Sequence, residues 1–138
     1  MTLAFLLDTN VVSELRKKNP HSRVAEWHAD HSQAVVYLST LVVGEVRRGI
    51  DRLRPRDPGQ ADILESWLTG LTATYQGRLL PVTAPIAEEW GRMSAMTPAP
   101  PIIDGLMAAT ARVHDLTLVT RNIADVAHTG VRLINPFD

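Results

Sequence analysis

The first polar residue after the apolar run at residues 3–7 is Asp8. A short run with no polar alternation predicts a strand covered on both faces, as in a parallel sheet. Further short strands are expected at residues 34–38, which are β-branched and apolar, and at 79–82, 116–119 and 131–134. Between these runs the spacing turns helical. It predicts a short helix over 11–17, with Asp8 or Asn10 near its cap, then helices over 21–32, 41–53, 60–76, 84–96 and 102–111. Ser39-Thr40 caps the third, and Ile63, Leu64, Trp67, Leu68 and Leu71 form one stripe along the fourth. Proline-rich punctuation at residues 54–59 and 97–101 cannot continue a helix.

Strands alternating with helices predict an α/β fold, a mostly parallel central sheet with helices on both faces. Residues 1–138 read as a single domain. In such folds chemistry gathers off the carboxyl ends of the strands, where the strand order reverses. Composition narrows the class: 45% apolar and 21% charged residues exclude disorder and collagen-like repeats. With no cysteine, disulfide frameworks and thiolate metal sites are excluded, and a reducing compartment is expected. No apolar run approaches the roughly 18 residues of a membrane span, and the first residues lack a signal-peptide pattern, so a cytoplasmic location with no membrane contact is the expectation.

Net charge is −1, so no bulk field announces a polyanionic partner. Twelve of the 14 basic residues are arginine, however, and five of them are Arg47, Arg48, Arg52, Arg54 and Arg56. Arginine grips phosphate bidentately, although the same cluster also describes a solvated helix with a basic end. Four acids fall near strand ends: Asp8, Glu45, Asp104 and Asp125. Taken singly, each has a plain role as a cap, a surface charge pairing with Arg48, a complement to a helix dipole, or a turn residue. Taken together, they require more. Two carboxylates about 4 Å apart repel by roughly 4 kcal/mol at an effective dielectric near 20, so a gathered set needs a cation or must hold protons. Oxygen-only ligands favour Mg2+ or Mn2+ over zinc, and such an ion polarises phosphoryl groups and activates water, the chemistry of phosphodiester hydrolysis.

The blocks Leu7-Asp8-Thr9-Asn10-Val11, Ser39-Thr40-Leu41-Val42-Val43-Gly44-Glu45-Val46-Arg47-Arg48-Gly49, Ile102-Ile103-Asp104-Gly105-Leu106-Met107 and Val119-Thr120-Arg121-Asn122-Ile123-Ala124-Asp125 occur in order. Together they resemble the four motif blocks of PIN-domain ribonucleases. More narrowly the chain resembles VapC-type toxins of type II toxin–antitoxin modules, and the closing Ile134-Asn135-Pro136-Phe137 suits the FitB-like branch. The resemblance implies a Mg2+-dependent endoribonuclease, with Mn2+ as a substitute, whose catalytic acids are Asp8, Glu45, Asp104 and Asp125. Asp8 and Asp104 would be the principal metal ligands. Glu45 would hold or orient the attacking water, and Asp125 would complete the site directly or through water. Thr9, Asn10, Thr120 and Asn122 would fix those carboxylates by hydrogen bonds. Arg47, Arg48 and Arg52 would meet the RNA backbone, and Arg121 would meet a phosphate or shield the acids. One departure stands out: Val126 follows Asp125 where relatives carry an aromatic. The resemblance further implies homodimers, a VapB-like antitoxin that covers the acidic site, and larger toxin–antitoxin assemblies.

Other readings fit less well. A haloacid-dehalogenase-type phosphatase needs a second Asp where Asn10 stands, and a receiver domain needs a late Lys, whereas the chain has only Lys17 and Lys18. A catalytically silent RNA- or protein-binding module remains as the alternative. Trp27, Trp67 and Trp90 read as core or partner surface. His28 and His31 read as an exposed helix face, not a metal site.

Overall fold

A computed structural model describes residues 3–138. Five parallel strands form one sheet: β1 (Ala4–Leu7), β2 (Val35–Ser39), β3 (Leu79–Leu80), β4 (Thr117–Val119) and β5 (Leu133–Ile134), in the spatial order β3-β2-β1-β4-β5. The continuous apolar run explains the central position of β1: Phe5, Leu6 and Leu7 are buried, and β1 is paired on both sides. Helices supply the crossovers: α1 (Thr9–Arg16), α2 (Ser22–Asp30), α3 (Thr40–Leu53), α4 (Pro58–Thr74), α5 (Ala84–Ser94), α6 (Ile102–Val113) and α7 (Ile123–Val126), with a 3-10 turn at Ala127–Thr129. The sheet steps outward from β1 in both directions, so right-handed crossovers lay helices on both of its faces. Leu6, Leu38, Ile50, Ile86, Met107 and Leu118 fill the core.

Element boundaries moved where local chemistry decided them. The strand expected over 79–82 closes at Leu80, because Pro81 has no N–H to donate to a ladder. The fourth helix begins at Pro58, since the Asp57 side chain accepts from the Gln60 N–H at 3.1 Å and proline suits the first turn. The first helix begins at Thr9, with Asp8 as its cap. The four-residue α7 and the 3-10 turn were not foreseen, being too short to show a period. They end at Gly130, whose φ of 79° is a left-handed conformation that glycine adopts freely.

The tryptophans pack as expected: Trp27 meets Phe5 edge to face at 5.1 Å, and Trp67 and Trp90 lie half-buried against the core. His31 departs from the expected exposed face. Its ring stacks on Trp27 at 4.7 Å and its Nδ1 lies 2.7 Å from the Trp27 carbonyl oxygen, so it caps an aromatic cluster, while His28 is exposed.

The closest helix approach bears on the acids. A Cβ at Gly105 would stand 3.2 Å from both Pro100 Cγ and Trp90 Cδ1, so glycine lets α6 seat against α5 one residue after Asp104. Gly105→Val should therefore lower unfolding stability by about 1–3 kcal/mol through overpacking. Urea denaturation checks this, and an unchanged midpoint would contradict the tight contact.

Candidate active site

The site lies where β1 and β4 run side by side and their chains then diverge, the reversal point of the strand order. Asp8 leaves β1 with its N–H donating to the Val119 carbonyl at 2.9 Å, which continues the β1–β4 ladder. The residue is only 5% exposed, and a buried carboxylate needs hydrogen-bond donors. Three are present. Oδ1 accepts from the Thr9 N–H at 2.7 Å, while Oδ2 accepts from Thr120 Oγ1 at 2.6 Å and Asn10 Nδ2 at 3.4 Å. Capping α1 and furnishing the site are thus one geometry, not alternatives.

The loop after β4 is stitched to the same place. Thr120 Oγ1 also accepts from the Asn122 N–H at 3.0 Å, and Asn10 Oδ1 accepts from the Arg121 N–H at 3.3 Å. Glu45 arrives from α3, whose start is fixed by Ser39 Oγ accepting from the Leu41 N–H at 3.0 Å. Thr9 Oγ1 donates to Glu45 Oε1 at 2.6 Å, so α1 and α3 meet through their functional side chains. The other oxygen of Glu45 faces Arg48 Nη2 at 3.6 Å.

Asp104 stands half-buried in the first turn of α6. Burial raises its pKa above the ordinary aspartate range. The charges of Asp8, Asp125 and Glu45 raise it further, and the Asn122 side chain opposes them. One carboxyl therefore feels the other three acids. Asp125 sits on α7 and is exposed, its N–H donating to the Asn122 carbonyl at 3.2 Å. Val126, in place of an aromatic, is buried in the core.

Among the described residues, no three His, Cys, Asp or Glu groups gather into a ready-made metal cage. The donor set is nevertheless all oxygen and carries surplus negative charge beside Asp104. That suits a hard divalent cation of the Mg2+ type, which takes one or two carboxylates and completes its shell with water and substrate oxygens. Asp8 and Asp104 could hold such an ion, with Glu45 and Asp125 at its margins.

The arginines divide. Arg47, expected to meet RNA, instead spends its fork on both carboxylate oxygens of Glu65 from α4 and also reaches Asp51 at 3.4 Å. These acids raise its pKa still further, Glu65 most strongly. Arg54 joins the same network through Asp62 at 2.7 Å and Glu65 at 3.0 Å. Their partner Glu65 lies on the next helix, which spacing within α3 could not reveal. Arg48, Arg52 and Arg121 are exposed. Phe137, given no role by sequence reasoning, lies with its ring 4.6 Å under the Arg121 guanidinium. No sequence signal marks a through-space contact across 16 positions.

Comparison with known proteins bears on this geometry. The family described as PIN domain matches residues 5–128. The chain is 34% identical to Toxin FitB of Neisseria gonorrhoeae over 137 residues, covering 96% of this chain and 97% of that protein. It is 29% identical to VapC ribonuclease Y4jK of Sinorhizobium fredii over 138 residues, covering 96% and 97%. The crystal structure of FitAcB from Neisseria gonorrhoeae superposes with a TM-score of 0.84 at 32% identity, covering 96% of this chain and 98% of that one.

A raised carboxyl pKa means that the folded state binds the proton more tightly than the unfolded one. Without metal, Asp104 therefore favours the fold at acid pH, and that contribution is lost as pH rises through its folded value. In EDTA, Asp104→Asn should raise the thermal midpoint relative to wild type, by more at pH 8 than at pH 4. Thermal denaturation at both pH values checks this, and a variant less stable at pH 8 would contradict the crowding.

Proposed function

Because the chain belongs to the PIN-domain family, we propose that it is an endoribonuclease that uses Mg2+, or Mn2+ in its place, to hydrolyse RNA phosphodiester bonds. We further propose that it acts as the toxin of a VapBC-type pair and is neutralised by a VapB-like antitoxin in the cytoplasm. A relative named as a toxin supports that reading, and no helix of the described residues is long and apolar enough to cross a membrane. In this reading residues 1–138 work as one domain, the toxin pairs as a homodimer, and larger toxin–antitoxin assemblies follow. The observation that carries the proposal is the crowding of Asp104 by Asp8, Asp125 and Glu45, which a divalent cation relieves.

When bound, that cation polarises the phosphoryl group and eases deprotonation of the attacking water. The chain's own residues do the rest. Thr120, Asn10 and the Thr9 N–H hold Asp8 rigid and charged, so that this ligand needs no reorganisation. Thr9 anchors one oxygen of Glu45, and the other, beside Arg48, orients the attacking water and accepts its proton. Asp125, exposed on α7, acts at the margin through water. Arg48, Arg52 and Arg121 are the arginines left to meet RNA phosphate, whereas Arg47 secures α4.

Purified, partner-free protein should cut an RNA pool in Mg2+ and Mn2+ but not in EDTA. Asp8→Asn and Asp104→Asn should abolish cutting, and Thr120→Val should lower it about 10–100-fold by loosening Asp8. Gel analysis of the products checks this. Cutting that persists in EDTA or in both Asn variants would overturn the assignment, and metal-independent RNA binding without cutting would favour the silent-module reading.

A further inference from the structure

Arg121 is an unusual cation for its surroundings. Its backbone is pinned on both sides: its own N–H donates to Asn10 Oδ1, Thr120 before it bonds Asp8, and Asn122 after it bonds Thr120. The side chain thus starts one residue after Thr120, whose hydroxyl bonds the Asp8 carboxylate. An exposed guanidinium in that position is drawn to the acids by simple Coulomb attraction. Yet among the described residues Arg121 forms no ion pair. It lies instead over the face of Phe137, with Cζ 4.6 Å from the ring centroid.

Phe137 is a fixed platform. Residues β4 and β5 align Val119 with Ile134, and the Thr120 N–H donates to the Ile134 carbonyl at 2.9 Å. The chain then turns at Asn135, whose side chain accepts from the Phe137 N–H at 3.0 Å, and Pro136 is buried. The ring is braced edge to face by His21 at 5.3 Å. The ladder that carries Thr120 to Asp8 therefore also carries Phe137 to Arg121.

From this geometry we propose that Arg121 grips an RNA phosphate next to the carboxylates, and that Phe137 is the positioning residue that holds its guanidinium free for that contact. The proposal rests on the ribonuclease reading above. Stacking on an aromatic face occupies the plane of the guanidinium but leaves its N–H edge open, and that edge matches a phosphate bidentately. A site built from four acids repels a polyanion, so a cation kept off those acids is what the substrate needs. Collapsed onto Asp8 or Asp104, the same arginine would neutralise the site instead of serving it.

Phe137→Leu, Phe137→Tyr, Arg121→Ala and Arg121→Lys test this, read by anisotropy of a labelled single-stranded RNA in EDTA across salt and by cleavage kinetics in Mg2+. Arg121→Ala should weaken binding and lower the salt slope by about 0.7. Phe137→Leu should weaken binding about two- to fivefold and raise KM with kcat little changed, Phe137→Tyr should restore both, and Arg121→Lys should recover the salt slope but not the affinity. A Phe137→Leu variant with a lowered thermal midpoint would leave Arg121→Ala, a surface change, to decide. Wild-type affinity, slope and KM in Arg121→Ala, while wild type binds and cuts RNA, would overturn this proposal alone. Variants that bind RNA normally but lose capture of a protein partner would assign the arginine to that partner and overturn it too. A wild type that neither binds nor cuts RNA would overturn the ribonuclease reading with it.

Discussion

A 2.6 Å hydrogen bond from Thr120 Oγ1 to Asp8 Oδ2 joins the ends of two neighbouring strands, and the rest of the site is arranged around it. It exists because β1 and β4 are paired in register, with Leu7 beside Val119, so the residues that follow each strand emerge together. Asp8 is buried there and cannot remain charged without donors, and its neighbours in sequence supply them: Thr9 through its backbone, Asn10 and Thr120 through side chains. The bonds that keep a buried carboxylate tolerable also fix where that carboxylate points.

Around that fixed acid the fold accumulates opposition. Glu45 is tied in by Thr9, and Asp104 is brought near by the close seating of α6 on α5 at Gly105. Asp125 follows on α7. The cost falls on Asp104, the half-buried member whose ionisation the other acids resist. Of the basic side chains nearby, only Arg48 pairs with one of these acids among the described residues. Arg47 and Arg54 are committed to Glu65 and Asp62, Arg48 stands at 3.6 Å from Glu45, and Arg121 is carried away on Phe137. Of these four arginines, only Arg48 offsets one of the carboxylates, and the other three are held elsewhere.

Much of this was legible in the chain before any coordinates. The unbroken run at residues 3–7 pointed to a central parallel strand because burial on both faces removes alternation. Asp8, Glu45 and Asp104 could be singled out because Asp8 directly follows a strand, Glu45 lies among apolar residues about two turns past another, and Asp104 opens a helix; Asp104 feels the charges of the other two. What was not legible depended on partners distant in sequence. Arg47 looked like a free cation on its own helix, but Glu65 lies 18 residues away on α4. His31 looked exposed by period, but it stacks on Trp27 just past the end of α2. Phe137 entered only as part of the closing Ile134-Asn135-Pro136-Phe137, and its contact with Arg121 depends on the pairing of β4 with β5. Local period reveals which face is buried, whereas ion pairs and stacking between elements appear only once topology is known.

The central claim is that the carboxylates at the β1–β4 corner form the seat of a divalent cation. Anomalous diffraction from crystals of the partner-free protein equilibrated with Mn2+ tests it most directly. The account predicts one dominant Mn2+ peak in contact with Asp8 and Asp104, absent from crystals of Asp8→Asn. Crystals saturated with Mn2+ that show no peak there, or a dominant peak elsewhere on the molecule, would contradict it.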